Sequence, residues 1–154
     1  MNFTEGYSHR HGNVEWEKRD LSEWLTDTFN APAIKLEAHA TTAIREHIRS
    51  ELTKEGWSEE LYIAPDLAGA TIFSRKGDLA IQLQTGNISR AFYDLLKLQY
   101  LFNCNKIEAA ALAVPTRSGA SQLGSNIANF ERLCGELELY GRIITVPILV
   151  VAFE

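Results

Sequence analysis

The stretch that decides the fold lies in the middle of the chain, where residues 79–97 read LAIQLQTGNISRAFYDLLK. Its first part, Leu79–Gln84, is typical of one arm of a β-hairpin. From Ser89 to Asn103 the pattern becomes helical, with one face formed by Phe92, Leu95, Leu96, Gln99 and Phe102. Ser89 is a suitable N-cap for this helix. The stretch therefore predicts a strand that leads directly into a long helix.

Upstream of this stretch the sequence predicts the other arm of the hairpin, a short strand and two helices. The first arm would be Ala70–Ser74, with the turn at Arg75–Asp78, and Leu61–Ala64 would form the short strand. A helix over residues 40–55 is predicted from apolar residues that recur every four positions, Ile44, Ile48 and Leu52. An earlier helix is predicted over residues 21–29, before Pro32.

Downstream of the stretch, apolar runs alternate with one more helix. Ile107–Val114 and Ile143–Phe153 are typical of buried strands, and the spacing between Ile127 and Leu137 predicts the helix that connects them. Strands separated by helices must pair in parallel, whereas the hairpin is antiparallel. The sequence therefore predicts one α/β domain over residues 1–154, with a mixed five-stranded sheet flanked by helices.

Composition narrows the class of protein. The 154 residues include 45% hydrophobic ones and carry a formal net charge of −5, which excludes a histone-like basic protein. Residues 61–107 carry three acidic and five basic side chains, so an anion site is expected in this part of the chain. Two cysteines form no disulfide framework, and no secretory signal or membrane-spanning stretch is recognised. A soluble cytoplasmic protein with no membrane partner is therefore expected.

Several blocks of the sequence occur together, in the order of one known family. They are Tyr7-Ser8-His9, Gly12-Asn13-Val14-Glu15, Gly56-Trp57, the stretch 80–97 and Val146-Pro147-Ile148-Leu149-Val150. In this order and spacing they resemble the BglII/BstYI-like type II restriction endonucleases of the PD-(D/E)xK nuclease superfamily. The resemblance implies a restriction-endonuclease-like core, a homodimer and double-stranded DNA as partner. It also implies hydrolysis of a phosphodiester with Mg²⁺ as cofactor.

The active-site positions of that family are altered in this chain. The resemblance puts Gln82 where the family has a metal-binding Glu, Gln84 two residues later, and Ile72 or Phe73 at the position of the hairpin Asp. Amide and apolar side chains bring no negative charge, whereas Mg²⁺ normally takes at least one carboxylate. The expected consequence is a degraded site with little or no cleavage.

A relocated ligand is the alternative that would preserve an enzyme. Asp66 would then bind Mg²⁺ together with Gln82, and the catalytic set would be Asp66, Gln82 and Gln84. Asp78 faces the same side of the strand as Gln82, but four residues of strand span about 13 Å, which is too far for one ion. Both aspartates are also typical turn residues.

Polar and basic residues after the strand are candidate DNA contacts. The resemblance puts Asn87, Ser125 and Asn126 where the family contacts base edges or phosphates, and the basic side chains of Arg90, Lys97 and Arg117 would add phosphate contacts. For Ser125 and Asn126 the alternative is a plain helix cap, and Lys97 with Asp94 could be a solvated i,i+3 pair.

Two hypotheses about function follow. One is a DNA-binding protein derived from a restriction endonuclease of a restriction-modification system. The other is a protein-binding inhibitor or regulator in bacterial or phage defence, built on the same scaffold. A negative net charge favours the protein partner, whereas the basic middle third favours DNA.

Overall fold

The central feature of the computed structural model is a mixed sheet of five strands. The structure describes residues 1–64, 66–67 and 69–154. In chain order the strands are β1 (Phe3–His9), β2 (Leu61–Tyr62), β3 (Thr71–Ile72), β4 (Ser74–Lys76), β5 (Leu79–Leu83), β6 (Ala109–Pro115) and β7 (Ile148–Phe153). The sheet has the order β1-β7-β6-β5-β4, and β2 pairs with β3 separately.

Six helices connect the strands within the described residues. They are α1 (Gly12–Glu17), α2 (Ser22–Thr28), α3 (Thr41–Lys54), α4 (Ser89–Asn103), α5 (Arg117–Leu123) and α6 (Phe130–Leu139). None of the helices in the described part of the chain is long and apolar enough to cross a membrane.

The three central strands are buried on both faces, which divides the core in two. Alternate residues of β5 point to opposite faces, so Leu79, Ile81 and Leu83 pack with the α1 and α3 side. Ala80 faces the other way and packs with apolar residues of α4 and α6. Gln82 follows the parity of Ala80, and so does Gln84, one residue beyond the end of β5. This parity directs both amide side chains toward α4.

The predicted fold class is confirmed, and so are the pairing directions. β5 pairs in parallel with β6, as β6 does with β7, whereas β4 and β5 form an antiparallel hairpin that turns at Gly77–Asp78. The long helix begins and ends at the predicted residues, Ser89 and Asn103.

The membership of the sheet was predicted wrongly. β1 was not expected. It pairs antiparallel with β7, with Tyr7 opposite Val150, and forms one edge of the sheet. The predicted strand Leu61–Ala64 is only β2, and it belongs to the small separate sheet. The predicted arm Ala70–Ser74 is divided into β3 and β4 at Phe73.

The downstream boundaries also differ from the predicted ones. α5 was not predicted, α6 begins only at Phe130, and β7 begins only at Ile148. The residues 143–147 before β7 are mostly apolar but form a turn and an irregular segment, and Ile144 and Val146 pack in the core beside α6. The apolar run therefore predicted burial correctly for Ile144 and Val146 but predicted the start of the strand too early.

Candidate functional site

A cleft with a volume of about 710 Å³ opens between the end of β5 and the first half of α4. Helix α3, the β2–β3 pair and the segment before β2 supply its other walls, and we refer to it as the α4 cleft. Its charged side chains come from α3, from α4 and from the residue before β2. Arg45 and Glu60 lie on one wall, and Arg90, Asp94 and Lys97 on the other. Gln82 and Gln84 form the floor, as their strand parity requires.

The two glutamines both bind one carboxylate. Gln82 Nε2 donates to Asp94 Oδ1 at 2.8 Å, and Gln84 Nε2 donates to Asp94 Oδ2. The amide oxygens are also engaged, because Gln82 Oε1 accepts from the Phe73 backbone N–H at 2.9 Å and Gln84 Oε1 from that of Gly86 at 2.7 Å. Each carboxamide therefore has a protein partner at both of its ends.

Lys97 completes this buried network. Its Nζ lies 2.6 Å from Asp94 Oδ1 and donates to the Thr71 carbonyl oxygen at 2.6 Å. The side chains of Asp94 and Lys97 are only 2% and 8% exposed, so the interpretation of this pair as solvated was wrong. The helical i,i+3 spacing brings the two side chains together in either case, and only the packing of α4 on the sheet buries them.

The donor set of the α4 cleft does not fit Mg²⁺. The ion prefers octahedral oxygen ligands with carboxylates, whereas here both glutamine oxygens accept backbone N–H groups and both Asp94 oxygens accept N–H donors. Within the described residues no group of three His, Cys, Asp or Glu side chains is positioned to hold a metal ion. Every side-chain oxygen of Gln82, Gln84 and Asp94 thus accepts a hydrogen bond from a protein N–H group, and we call this arrangement the closed network.

The positions that the resemblance assigned to the hairpin aspartate are apolar and buried. Ile72 is 0% exposed and packs with the α4 side of the core, whereas Phe73 packs with the opposite side. The β4–β5 register pairs Ser74 with Ile81, and the Phe73 backbone N–H reaches the Gln82 side chain. Ile72 is therefore the residue that shares a face with Gln82.

The two aspartates considered as relocated ligands lie elsewhere. Asp66 is an exposed turn residue between β2 and β3, and it is not among the described residues that line the α4 cleft. Asp78 lies at the opposite end of β5, where Arg19 holds it in an ion pair. The hydrogen bond from Arg19 keeps the pKa of Asp78 below its usual value, as expected for a carboxylate beside a guanidinium.

Glu60 is a carboxylate of the cleft that sequence reasoning missed. It accepts a hydrogen bond from Thr71 Oγ1 at 2.7 Å and lies 3.0 Å from Arg49 and 3.8 Å from Arg45. Burial lowers the pKa of Arg45, and the neighbouring Arg49 acts in the same direction, while Glu60 and Asp94 oppose it. Glu60 therefore pairs with the basic side chains of α3. No sequence pattern before β2 predicts this contact.

The loops that were expected to contact DNA meet at the rim of the cleft. The Ile88 backbone N–H donates to the Asn126 carbonyl at 2.7 Å, and Asn87 forms an isolated β-bridge with Ile127. Asn87 and Asn126 are both exposed, as is Ser125. The structure therefore brings these three predicted contacts to one edge.

The capping roles at this rim differ from those expected. Asn87 Oδ1 accepts from the Ser89 backbone N–H at 2.9 Å, and Ser89 is the first residue of α4 rather than its N-cap. Ser125 and Asn126 do not open a helix, because the N-cap of α6 is Asn129, whose side chain accepts from the Arg132 N–H. Asn126 instead adopts a left-handed turn, with φ of 58°.

The basic residues divide into exposed and buried ones. Arg90 is exposed on the first turn of α4 and lines the cleft, and Arg117 is exposed at the start of α5. Lys97 differs from both, since it reaches the cleft from a buried position.

Comparison with known proteins identifies relatives over nearly the whole chain. The model of the restriction endonuclease BglII/BglIII family matches residues 4–153. No curated protein matches the sequence.

Two solved structures of BglII resemble the whole chain in fold. A crystal structure of the restriction endonuclease BglII complexed with a DNA 16-mer has a TM-score of 0.74 at 15% identity, and the match covers 99% of this chain and 76% of that one. A crystal structure of free BglII has a TM-score of 0.73 at 14% identity, with 100% and 80% covered. At such low identity these structures support the fold alone, whereas the family model covers nearly every residue. The chain belongs to the BglII/BglIII restriction endonuclease family.

Proposed function

We propose that this chain is a DNA-binding member of its family that cleaves duplex DNA extremely slowly or not at all. The observation that carries this proposal is the closed network of Gln82, Gln84, Asp94 and Lys97. A metal-dependent nuclease needs carboxylate oxygens that are open to the ion and to a water. Here the carboxylate is neutralised by an ammonium group, and the neighbouring side chains are amides.

The rim of the α4 cleft supports DNA as the partner. Asn87 and Asn126 are exposed amides, and an Asn side chain can form two hydrogen bonds with an adenine edge in the major groove. Ser125 lies beside them, and Arg90, which is exposed and lines the cleft, would bind a backbone phosphate. Arg117 would add a further phosphate contact, because its guanidinium group is exposed on the first residue of α5.

The proposal includes a homodimer, which would match the two-fold symmetry of a palindromic DNA site. An exposed apolar stripe on α4 supports it, since Tyr93, Leu96 and Tyr100 are 41%, 41% and 48% exposed at helical spacing. The stripe continues onto the β2–β3 hairpin through Ile63 and Leu67, around a groove of about 210 Å³. Light scattering of Leu96→Glu would show a monomer where the unchanged protein is a dimer.

Duplex binding measured by fluorescence anisotropy tests the proposed function, with plasmid nicking in Mg²⁺ as the parallel assay. The expected result is binding that weakens steeply with salt, because phosphate contacts release counterions, together with no nicking above background. Arg90→Ala should weaken binding. The matched control is Arg142→Ala, an exposed arginine before β7 at the opposite end of the sheet, which should leave binding unchanged.

Two results would contradict the proposal. Efficient nicking of plasmid by the unchanged protein would show that the enzyme is active. If Asp66→Ala then abolished that activity, Asp66 would be the relocated metal ligand after all. Absence of duplex binding at low salt would reject DNA as the partner.

A protein partner is the second candidate, and the exposed stripe on α4 is the observation that favours it. Apolar patches of this kind mark interaction surfaces, and the net charge of −5 does not attract DNA over the whole surface. If the protein is monomeric in solution and does not bind duplex, the stripe would be the docking surface of a regulatory complex.

A further inference from the structure

We infer that the ammonium group of Lys97 takes the place of a divalent metal in the α4 cleft and contacts a DNA phosphate there. This inference rests on the proposed DNA binding. Its consequence is that duplex binding needs no divalent ion. The chemistry required of the ligand is only that of a phosphodiester oxygen, which accepts hydrogen bonds from a cation.

The position of Lys97 Nζ carries the inference. The atom lies 2.6 Å from Asp94 Oδ1 and 2.6 Å from the Thr71 carbonyl oxygen, between helix α4 and strand β3. An ammonium group has three N–H donors, so these two described contacts leave one donor for a ligand. Lys97 also lines the α4 cleft, and its remaining donor would bind a phosphate oxygen that enters this cleft.

The side chain of Lys97 is held in place before any ligand arrives. It is 8% exposed, and its Nζ lies 5.2 Å from the centre of the Tyr93 ring, where a cation–π contact is favourable. A surface lysine would lose side-chain entropy on binding a phosphate. Because Lys97 is already ordered, its contact with a phosphate is preorganised in the way that a bound metal ion would be.

The charge balance of the cleft agrees with an anionic ligand. The cations Arg45, Arg90 and Lys97 line it, against the carboxylates of Glu60 and Asp94. Without Lys97, the buried carboxylate of Asp94 would repel a phosphate. With Lys97 paired to it, the charge of Asp94 is neutralised and the cleft has an excess of positive charge.

Duplex binding in the presence of EDTA and of Mg²⁺ tests the inference, measured by anisotropy over a range of salt concentrations. The unchanged protein should bind equally well in both buffers. Lys97→Met should bind more weakly, and the slope of log affinity against log salt should fall by about one, the effect of one lost phosphate contact. The control is Lys106→Met, since Lys106 is exposed beyond the far end of α4, and its slope should not change.

A pair of variants separates the charge of Lys97 from the integrity of the network. Lys97→Met removes a positive charge and should weaken binding, whereas Asp94→Asn removes a negative charge and should strengthen it. The double variant Asp94→Asn/Lys97→Met lacks both the phosphate contact and the repelling carboxylate, so it should bind more tightly than Lys97→Met and more weakly than the unchanged protein. Circular dichroism would verify that each variant is folded.

Three outcomes would overturn the inference while leaving the proposed function intact. These are duplex binding that requires Mg²⁺, an unchanged salt slope in Lys97→Met, and an equal weakening by Lys97→Met and Asp94→Asn. Absence of duplex binding by the unchanged protein in every buffer would instead reject the proposed function, and the inference with it.

Discussion

The two ends of strand β5 carry two different charged networks. At its start, Arg19 binds Asp78 and also lies 2.9 Å from Glu108, and the acidic side chains are 45% and 70% exposed. At its end, Asp94 and Lys97 are 2% and 8% exposed and are joined to two glutamines. The carboxylates paired with Arg19 lie largely in solvent, whereas the second network lies under helix α4.

This difference separates a structural contact from the proposed site. Arg19 follows α1 and joins it to the β4–β5 turn and to the residue before β6, a contact that an exposed ion pair stabilises only modestly. Asp94 and Lys97 have instead been removed from water, which is unfavourable unless every charge is paired. Because they also line the α4 cleft, their arrangement determines the chemistry available there.

The largest expected effect is that of breaking the buried network. Asp94→Ala leaves the ammonium group of Lys97 without its carboxylate and two glutamine amides without their acceptor. Removing one partner of a buried ion pair typically lowers the free energy of unfolding by about 3–5 kcal/mol. Urea denaturation followed by circular dichroism would measure this. A loss below about 1 kcal/mol, as typical of an exposed pair, would contradict the contrast between the two networks.

A second test restores the carboxylate that the resemblance expects. Gln82→Glu puts a second negative charge beside Asp94, so repulsion should raise the pKa of the new carboxyl above its value in the unfolded chain. A raised pKa leaves stability intact below the unfolded value of about 4.3 and reduces it as the pH rises above that value. We expect a loss of about 1–3 kcal/mol near pH 7, by analogy with other unpaired buried groups.

Denaturation of Gln82→Glu at several pH values would show this trend. The isosteric variant Gln82→Met is the control, because it also loses the hydrogen bonds of Gln82 but carries no charge. Its stability relative to the unchanged protein should not vary in this way with pH. An equal pH dependence in both variants would contradict the explanation by charge repulsion.

The smallest expected effect concerns the exposed network. The pKa of Asp78 is lowered in the folded protein by Arg19, so its contribution to stability is present above the unfolded pKa, about 3.9, and is lost as the pH falls through the folded value. Since the Asp78 side chain is 45% exposed, Asp78→Asn should lower stability near pH 7 by no more than about 1 kcal/mol.

Once the pH has fallen below the lowered folded pKa of Asp78, the two proteins should become equally stable, because Asp78 is then protonated in the unchanged protein. Denaturation midpoints of both proteins at neutral and acidic pH would check this. A loss that persists at acidic pH would indicate that the asparagine disturbs the turn itself.

The sequence was most informative where local pattern and tertiary packing agree. Helix α4 was predicted over Ser89–Asn103 because its apolar face is pronounced, and the position of Gln82 and Gln84 on the face toward it follows from strand parity. β1 was missed because its residues, FTEGYSH, are mostly polar and mostly exposed, and their strand conformation depends on pairing with β7.

The candidate site was predicted only in part for the same physical reason. The glutamines were recognised by their place in the motif, whereas Asp94 and Lys97 have a spacing that is equally typical of an exposed helix face. Their burial results from the packing of α4 on the sheet, where they contact Gln84 after β5 and Thr71 in β3. The available signal was that Asp94 and Lys97 lie on helix α4, next in the chain to the segment that carries the two glutamines. This placement could have predicted that the four side chains meet.

A crystal structure with duplex DNA grown in the presence of Mn²⁺ tests the central claim most directly. The anomalous signal of Mn²⁺ would locate any ion bound between Gln82, Gln84 and Asp94. We predict no such peak and a phosphate oxygen within hydrogen-bonding distance of Lys97 Nζ. A manganese ion coordinated by Asp94, with the side chain of Lys97 displaced, would contradict the claim that this cleft has replaced its metal with a lysine.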